Sequence, residues 1–200
     1  MGWHVVTTGT TAPTKREGYE DLKPTGGLLP SGQAKPSQPN RIGTHELYEF
    51  SGTVNERLTN IYHLPHDFVE GTDMFFHVHH LPTSETPTGT VRWRFHYQYA
   101  QGYQNGSFSD TDLTQDVELD LGAISAVQYG HIINEGVAVN DATVGAVLRT
   151  DGIFIVTIER LASVDTNTQP QIFLELDLHY KSDKTATVNR NDTGSGFTKS

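Results

Sequence analysis

From Gly89 to Ala100 the chain alternates strictly. Val91, Trp93, Phe95, Tyr97 and Tyr99 fall on one side of an extended strand, and Arg92, Arg94, His96 and Gln98 on the other. A strand with large aromatics on one face and charges on the other requires a second layer over the aromatic face. Other segments read the same way: 45–50, 57–64, 73–81, 113–121, 126–133, 143–149, 153–161 and 172–180. Segment 153–161 is almost continuously apolar and β-branched, as expected of a central strand covered on both faces. In the last segment Ile172, Leu174, Leu176, Leu178 and Tyr180 are expected to face inward. Asp151-Gly152 marks a turn of the hairpin type. Glycine (19) and proline (9) punctuate these runs, and no amphipathic helix exceeds a turn or two. The expectation is an all-β fold, a jelly-roll-like β-sandwich of about 8–9 strands with an extended N-terminal arm. The stretch from His63 to Tyr99 is expected to form a hairpin at its centre. Glu70 to Asp73 would be the turn that launches a histidine-bearing strand, and Pro82 to Gly89 the loop to the Trp93 strand.

Three zones follow. Residues 1–44 are rich in Thr, Gly, Pro and Ser with isolated apolar side chains and no sustained period. They read as an extended attachment arm of low secondary structure, with Trp3, Tyr19, Leu22, Leu28 and Leu29 as anchors onto a neighbouring protein. Residues 45–182 form the sandwich, and 183–200 a polar tail.

The 200 residues contain no cysteine, which removes disulfides, thiol nucleophiles and cysteine metal sites. A formal net charge of -10 argues against nucleic-acid binding, which needs clustered Lys and Arg. No apolar run approaches the ~20 residues of a membrane span, and the first residues lack the charge and apolar pattern of a secretory signal. The Gly-x-Ser-x-Gly elbow, the Walker loop, the dinucleotide fingerprint and His-Glu-x-x-His are all missing. Asp110, Asp112, Asp116, Glu118 and Asp120 read as a solvated strand face. The expectation is therefore a protein that is not an enzyme and carries no catalytic residues.

One chemical question stays open. Six of the ten histidines lie between His63 and His96. In a strand, His77 and His79 share a face about 6–7 Å apart and could bind one metal ion with further ligands from elsewhere. His80 falls on the other face with Met74, Phe76 and Val78. His63, His66, Asp73 and Glu85 are candidates for additional ligands. A threefold assembly with this strand near its axis could also gather six imidazoles around one ion. The order Gly71, His77-x-His79, Glu85, Gly89 resembles the first motif of cupin metalloproteins. However, Glu85 comes later than that spacing allows, Gly89 follows it too soon, and no second cupin motif is recognisable.

The segment from Leu64 to Pro82, followed by Val91 to Ala100, resembles a group of tailed-bacteriophage virion proteins. Members carry a Pro-His (Pro65-His66), then Glu-Gly-Thr-Asp (Glu70 to Asp73), His-Val-His (His77 to His79) and a Trp-containing strand (Trp93). Tyr19-Glu20-Asp21-Leu22 and Leu176-Asp177-Leu178-His179-Tyr180 extend the likeness, while His80 stands where an aromatic residue is usual. The resemblance implies a structural protein of the virion, made in the host bacterial cytoplasm. It would be a self-associating homotrimer that contacts capsid, portal, collar or tail proteins. Two other readings remain: a host-receptor or glycan-binding module presenting residues 101–108, and a cupin-like metal-dependent enzyme.

Overall fold

A computed structural model describes residues 18–25, 29–31, 34–102 and 106–183. Three strands open the chain: β1 (Gly18–Leu22), β2 (Leu29–Ser31) and β3 (Ser37–Ile42). Eight more follow: β4 (His45–Phe50), β5 (Glu56–His63), β6 (Phe75–Pro82), β7 (Thr90–Ala100), β8 (Leu113–Asp120), β9 (Ile132–Glu135), β10 (Ile153–Arg160) and β11 (Gln171–Ser182). One sheet runs β3-β4-β11-β6-β9 with β1 also on β11, and the other runs β2-β5-β10-β7-β8. All ladders are antiparallel.

Strands β4 to β11 thus form two four-stranded layers, β4-β11-β6-β9 against β5-β10-β7-β8. This is the double Greek-key order of a jelly roll, as expected from the sequence. Each aromatic strand face meets the other layer. Phe76 of β6 lies 5.5 Å from Phe95, 5.2 Å from Tyr97 and 6.0 Å from Phe154, ring centre to ring centre. Phe50 meets Trp93 edge-on at 5.1 Å. Among the described residues, no helix is long and apolar enough to cross a membrane.

Several local expectations are corrected. The His63–Tyr99 stretch is not a hairpin: β6 and β7 lie in opposite sheets and meet through side chains across the core. Pro82 to Gly89 is the crossover between layers. In β11 the register shifts between Phe173 and Glu175. That bulge turns Phe173 into the core and leaves Leu174 exposed, so the even spacing through Ile172 and Leu174 breaks there. Of 126–133 only the end is strand, because turns at Ser125 and Gly130 precede it. In place of a strand over 143–149 stands helix α1 (Asp141–Val144), started by an Asn140–Thr143 capping box and ended by Gly145 at φ 68°. The acidic run of β8 is exposed but paired across the ladder: Asp116 receives both Nε and Nη2 of Arg94 at 2.6 and 2.8 Å, and Glu118 receives Arg92. These charged rungs guard an edge strand against pairing with another chain.

The N-terminal zone departs most from its description as a low-structure arm. β1, β2 and β3 all lie inside residues 1–44 and extend the two sheets. Tyr19 packs on Phe75 and His179 at 6.1 and 4.9 Å, and Leu22 packs on the core. Those two anchors therefore serve the chain's own sandwich. Short alternating segments need only a free sheet edge to become strands, and composition does not reveal that edge. Leu29 is 56% exposed on β2. Trp3, Leu28 and the tail beyond Asp183 lie outside the described residues.

His80, fully buried and facing inward, has Nδ1 2.9 Å from Gln171 Oε1 and Nε2 2.7 Å from Asn134 Oδ1. A neutral ring donates to one amide and accepts from the other, which a turned amide allows. Burial, partly offset by these amides, pushes its pKa down to about 4. Because the folded value is depressed, the unfolded chain takes up the proton first. Stability is complete above the unfolded value of 6.5 and falls as pH drops toward 4, by about 3 kcal/mol in total. Melting curves between pH 7 and 4 should show a fall for the native chain and a flatter profile for His80→Gln; equal slopes would refute this assignment.

Candidate functional site

The outer face of the sheet formed by β1, β11, β6 and β9 carries a cluster of titratable side chains. Alternation in β6 sends Phe76, Val78 and His80 inward, so His77 and His79 must point out, as read from the sequence. Register then supplies their neighbours: Asp177 of β11 stands opposite His77 and Glu175 opposite His79. On the other flank, Glu135 and Ile133 of β9 stand opposite the same two histidines.

Asp177 is the hub. Its side chain is fully buried, with Oδ1 3.4 Å from His77 Nδ1 and Oδ2 3.3 Å from His79 Nε2. Lys23, just past β1, reaches Oδ2 at 3.2 Å and Glu175 at 2.8 Å. His77 Nε2 lies 2.8 Å from Glu135 Oε2, and its ring stands edge-on to His179 at 4.9 Å. His79 Nδ1 lies 2.8 Å from His131 Nε2, with the two rings stacked. Burial works to raise the Asp177 carboxyl, but His77, His79 and Lys23 overcome it and hold it well below the usual carboxylate range. The Asp177 carboxylate in turn raises His77 above the ordinary imidazole value against its own burial, with help from Glu135.

Among the described residues, two triplets bring ligand atoms within 4.8 Å of one another: His77, His79 and Asp177, and Asp21, His77 and His179. The other candidate ligands do not join. His63 and His66 both contact Asp151 Oδ1, at 3.0 and 2.9 Å, and Asp73 accepts from Asn140. Glu85 sits on the exposed crossover between β6 and β7. The histidine pair also faces away from the sandwich interior, whereas a site inside a barrel, as the cupin likeness implied, requires inward side chains.

Sequence reasoning missed Asp177, Glu135, His131, His179 and Lys23. One signal was available: an aspartate and a histidine alternating with Leu176, Leu178 and Tyr180 belong on the outer face of a core strand. Pairing of β11 with β6 was not readable, and it is pairing that makes Asp177 the partner of His77.

Residues 101–108 are described except 103–105. Phe108 is 40% exposed, but Trp93 and Tyr97 are core, and Tyr99 packs on Phe154 at 4.9 Å. A separate polar cleft, lined by Ser84, Thr86, Thr88, Thr166, Asn167, Thr168 and Gln169, has no aromatic wall for stacking on a sugar.

No family model matches the chain, and no curated protein matches it. Among solved structures, TmCBM61 in complex with β-1,4-galactotriose is similar at 12% identity and a TM-score of 0.34, over 78% of this chain and 87% of that one. At this identity and score the likeness does not extend to ligand or site.

Proposed function

We propose that the chain is a non-enzymatic structural protein of a tailed-bacteriophage virion, serving as a capsid decoration or as an adaptor in the head–tail, collar or tail region. The observation that supports this reading is how the virion-like segment uses its polar residues. His66 bonds Asp151 ahead of β10. Asp67 accepts from Tyr180 at 3.2 Å and Ser182 at 2.5 Å, fixing the end of β11. Thr72 closes its turn on the Val69 carbonyl at 2.6 Å, and Asp73 receives Asn140 at the start of α1. Side chains that tie loops and layers of one sandwich together support a structural role for this segment.

The formal charge of -10 disfavours nucleic acid as the partner and fits assembly onto other virion proteins. Self-association as a homotrimer belongs to the same reading, and so do synthesis in the host cytoplasm and residence in the particle. Quantitative mass spectrometry of purified particles tests it. The chain should be present at fixed stoichiometry to the major capsid or portal protein. Recovery only in the soluble host fraction would contradict the reading.

A further inference from the structure

The His77–His79–Asp177 cluster has the donor set, spacing and support of a metal site. Its donors are two imidazole nitrogens and one carboxylate, the nitrogen-rich class that suits zinc and its neighbours, not magnesium or calcium. Four ligands about 2.0–2.1 Å from a tetrahedral ion stand about 3.4 Å apart. The observed separations are of that size, 3.4 Å from Asp177 Oδ1 to His77 Nδ1 and 3.3 Å from Asp177 Oδ2 to His79 Nε2, one carboxylate oxygen facing each imidazole.

The surrounding groups select those same nitrogens. If His77 donates its Nε2 proton to Glu135, Nδ1 keeps its lone pair and faces Asp177. If His79 donates its Nδ1 proton to His131, Nε2 does likewise. A carboxylate on the far nitrogen, as Glu135 provides for His77, is how metal-bound histidines are commonly oriented. Meanwhile the inner atoms lack hydrogen-bond partners: His79 Nε2 and Asp177 Oδ1 are both buried without one. Asp177 itself is fully buried between Leu176 and Leu178. Two buried atoms without a hydrogen bond, in a triplet whose ligand atoms lie within 4.8 Å of one another, suit a cation placed among them.

We infer that His77, His79 and Asp177 bind one divalent transition-metal ion of the zinc class, clamping β6 to β11 on the outer face of the sheet. Three protein ligands leave a fourth position for water or a residue of a neighbouring chain. The third ligand comes from the chain itself, so no symmetry axis is needed to complete the site. Lys23 gives up Asp177 and keeps Glu175, to which it is already closer, 2.8 against 3.2 Å. The inference holds wherever the protein resides, so its failure leaves the virion reading standing.

The test is a zinc titration of the full chain after chelation and dialysis, followed by calorimetry and thermal melting. One equivalent should bind, and the melting temperature should rise by about 5–10 °C at saturating zinc. Magnesium and calcium should give no shift. His77→Ala/His79→Ala and Asp177→Asn should each lose the zinc shift, while His63→Ala/His66→Ala should retain it. Zinc binding that survives in the His77/His79 variant, or no binding at all, overturns the inference. Cobalt added to the unmutated chain provides a reading independent of variant folding. A tetrahedral visible spectrum that zinc displaces is expected, and the octahedral spectrum of hydrated cobalt overturns the assignment.

Discussion

Arg160→Met is expected to lower the free energy of unfolding by about 3–5 kcal/mol, the usual cost of breaking a buried ion pair by removing one partner. Arg160 points into the sandwich from the end of β10 and is fully buried. Its Nε meets Asp165 at 3.1 Å, Nη1 donates to the carbonyls of Phe50 and Gln169, and Nη2 donates to the carbonyl and side chain of Asn167. One guanidinium thus closes the loop from β10 to β11 and fastens it to the end of β4. Methionine fills most of the volume but leaves Asp165, whose side chain is also fully buried, without its charge partner. It also leaves three carbonyls without a donor. Burial already pushes the Asp165 carboxyl upward against the pull of Arg160, so the lone acid takes up a proton more readily. Urea unfolding followed by circular dichroism measures the loss. Arg160→Met/Asp165→Leu should recover part of it, since it removes the orphaned charge but not the orphaned carbonyls. A loss under about 1 kcal/mol for the single variant would mean the pair is not what holds this end closed.

The second large effect concerns the N-terminus. Removing residues 1–44 is expected to lower stability by on the order of 4 kcal/mol and to promote aggregation, whereas removing 1–17 leaves every described strand in place. The longer deletion takes away β1, β2 and β3 together. It uncovers the edge of β11 from Leu178 to Ser182, which β1 now pairs, and the edge of β5 at 57–59, which β2 now pairs. It also strips Leu22 from the core and Lys23 from the buried Asp177 carboxylate. Unpaired edges of this kind template association with other chains. Chemical unfolding and light scattering of the two truncations should separate them clearly; equal stability would show that the first three strands add nothing. The shorter deletion is therefore the one suited to testing attachment, because it removes Trp3 while sparing the sheets. In the virion reading, a chain of residues 18–200 folds but fails to join particles.

The jelly roll was legible because its strands carry period-two patterns that only a two-layer β-fold satisfies, as in Val91 to Tyr99 and Leu176 to Tyr180. Which strands pair was not legible. Sequence proximity made β6 and β7 look like a hairpin, yet the crossover at 83–89 carries the chain to the other layer. The bulge beside Leu174 was also hidden, since an alternating run gives no sign of a skipped position. The histidine pair was visible from spacing alone and was placed on the correct face. Its hub was not, because Asp177 lies about a hundred residues away and becomes a neighbour only through antiparallel register. Arg160 escaped notice for a related reason: an arginine at the end of an apolar strand normally reads as the point where the strand meets water.

The proposal that this jelly roll is built into a virion is tested most directly by a cryo-electron microscopy reconstruction of phage particles. Density matching the two-layer sandwich is expected at symmetry-related positions on the capsid, collar or tail. A complete particle in which every density is accounted for by other proteins would contradict it.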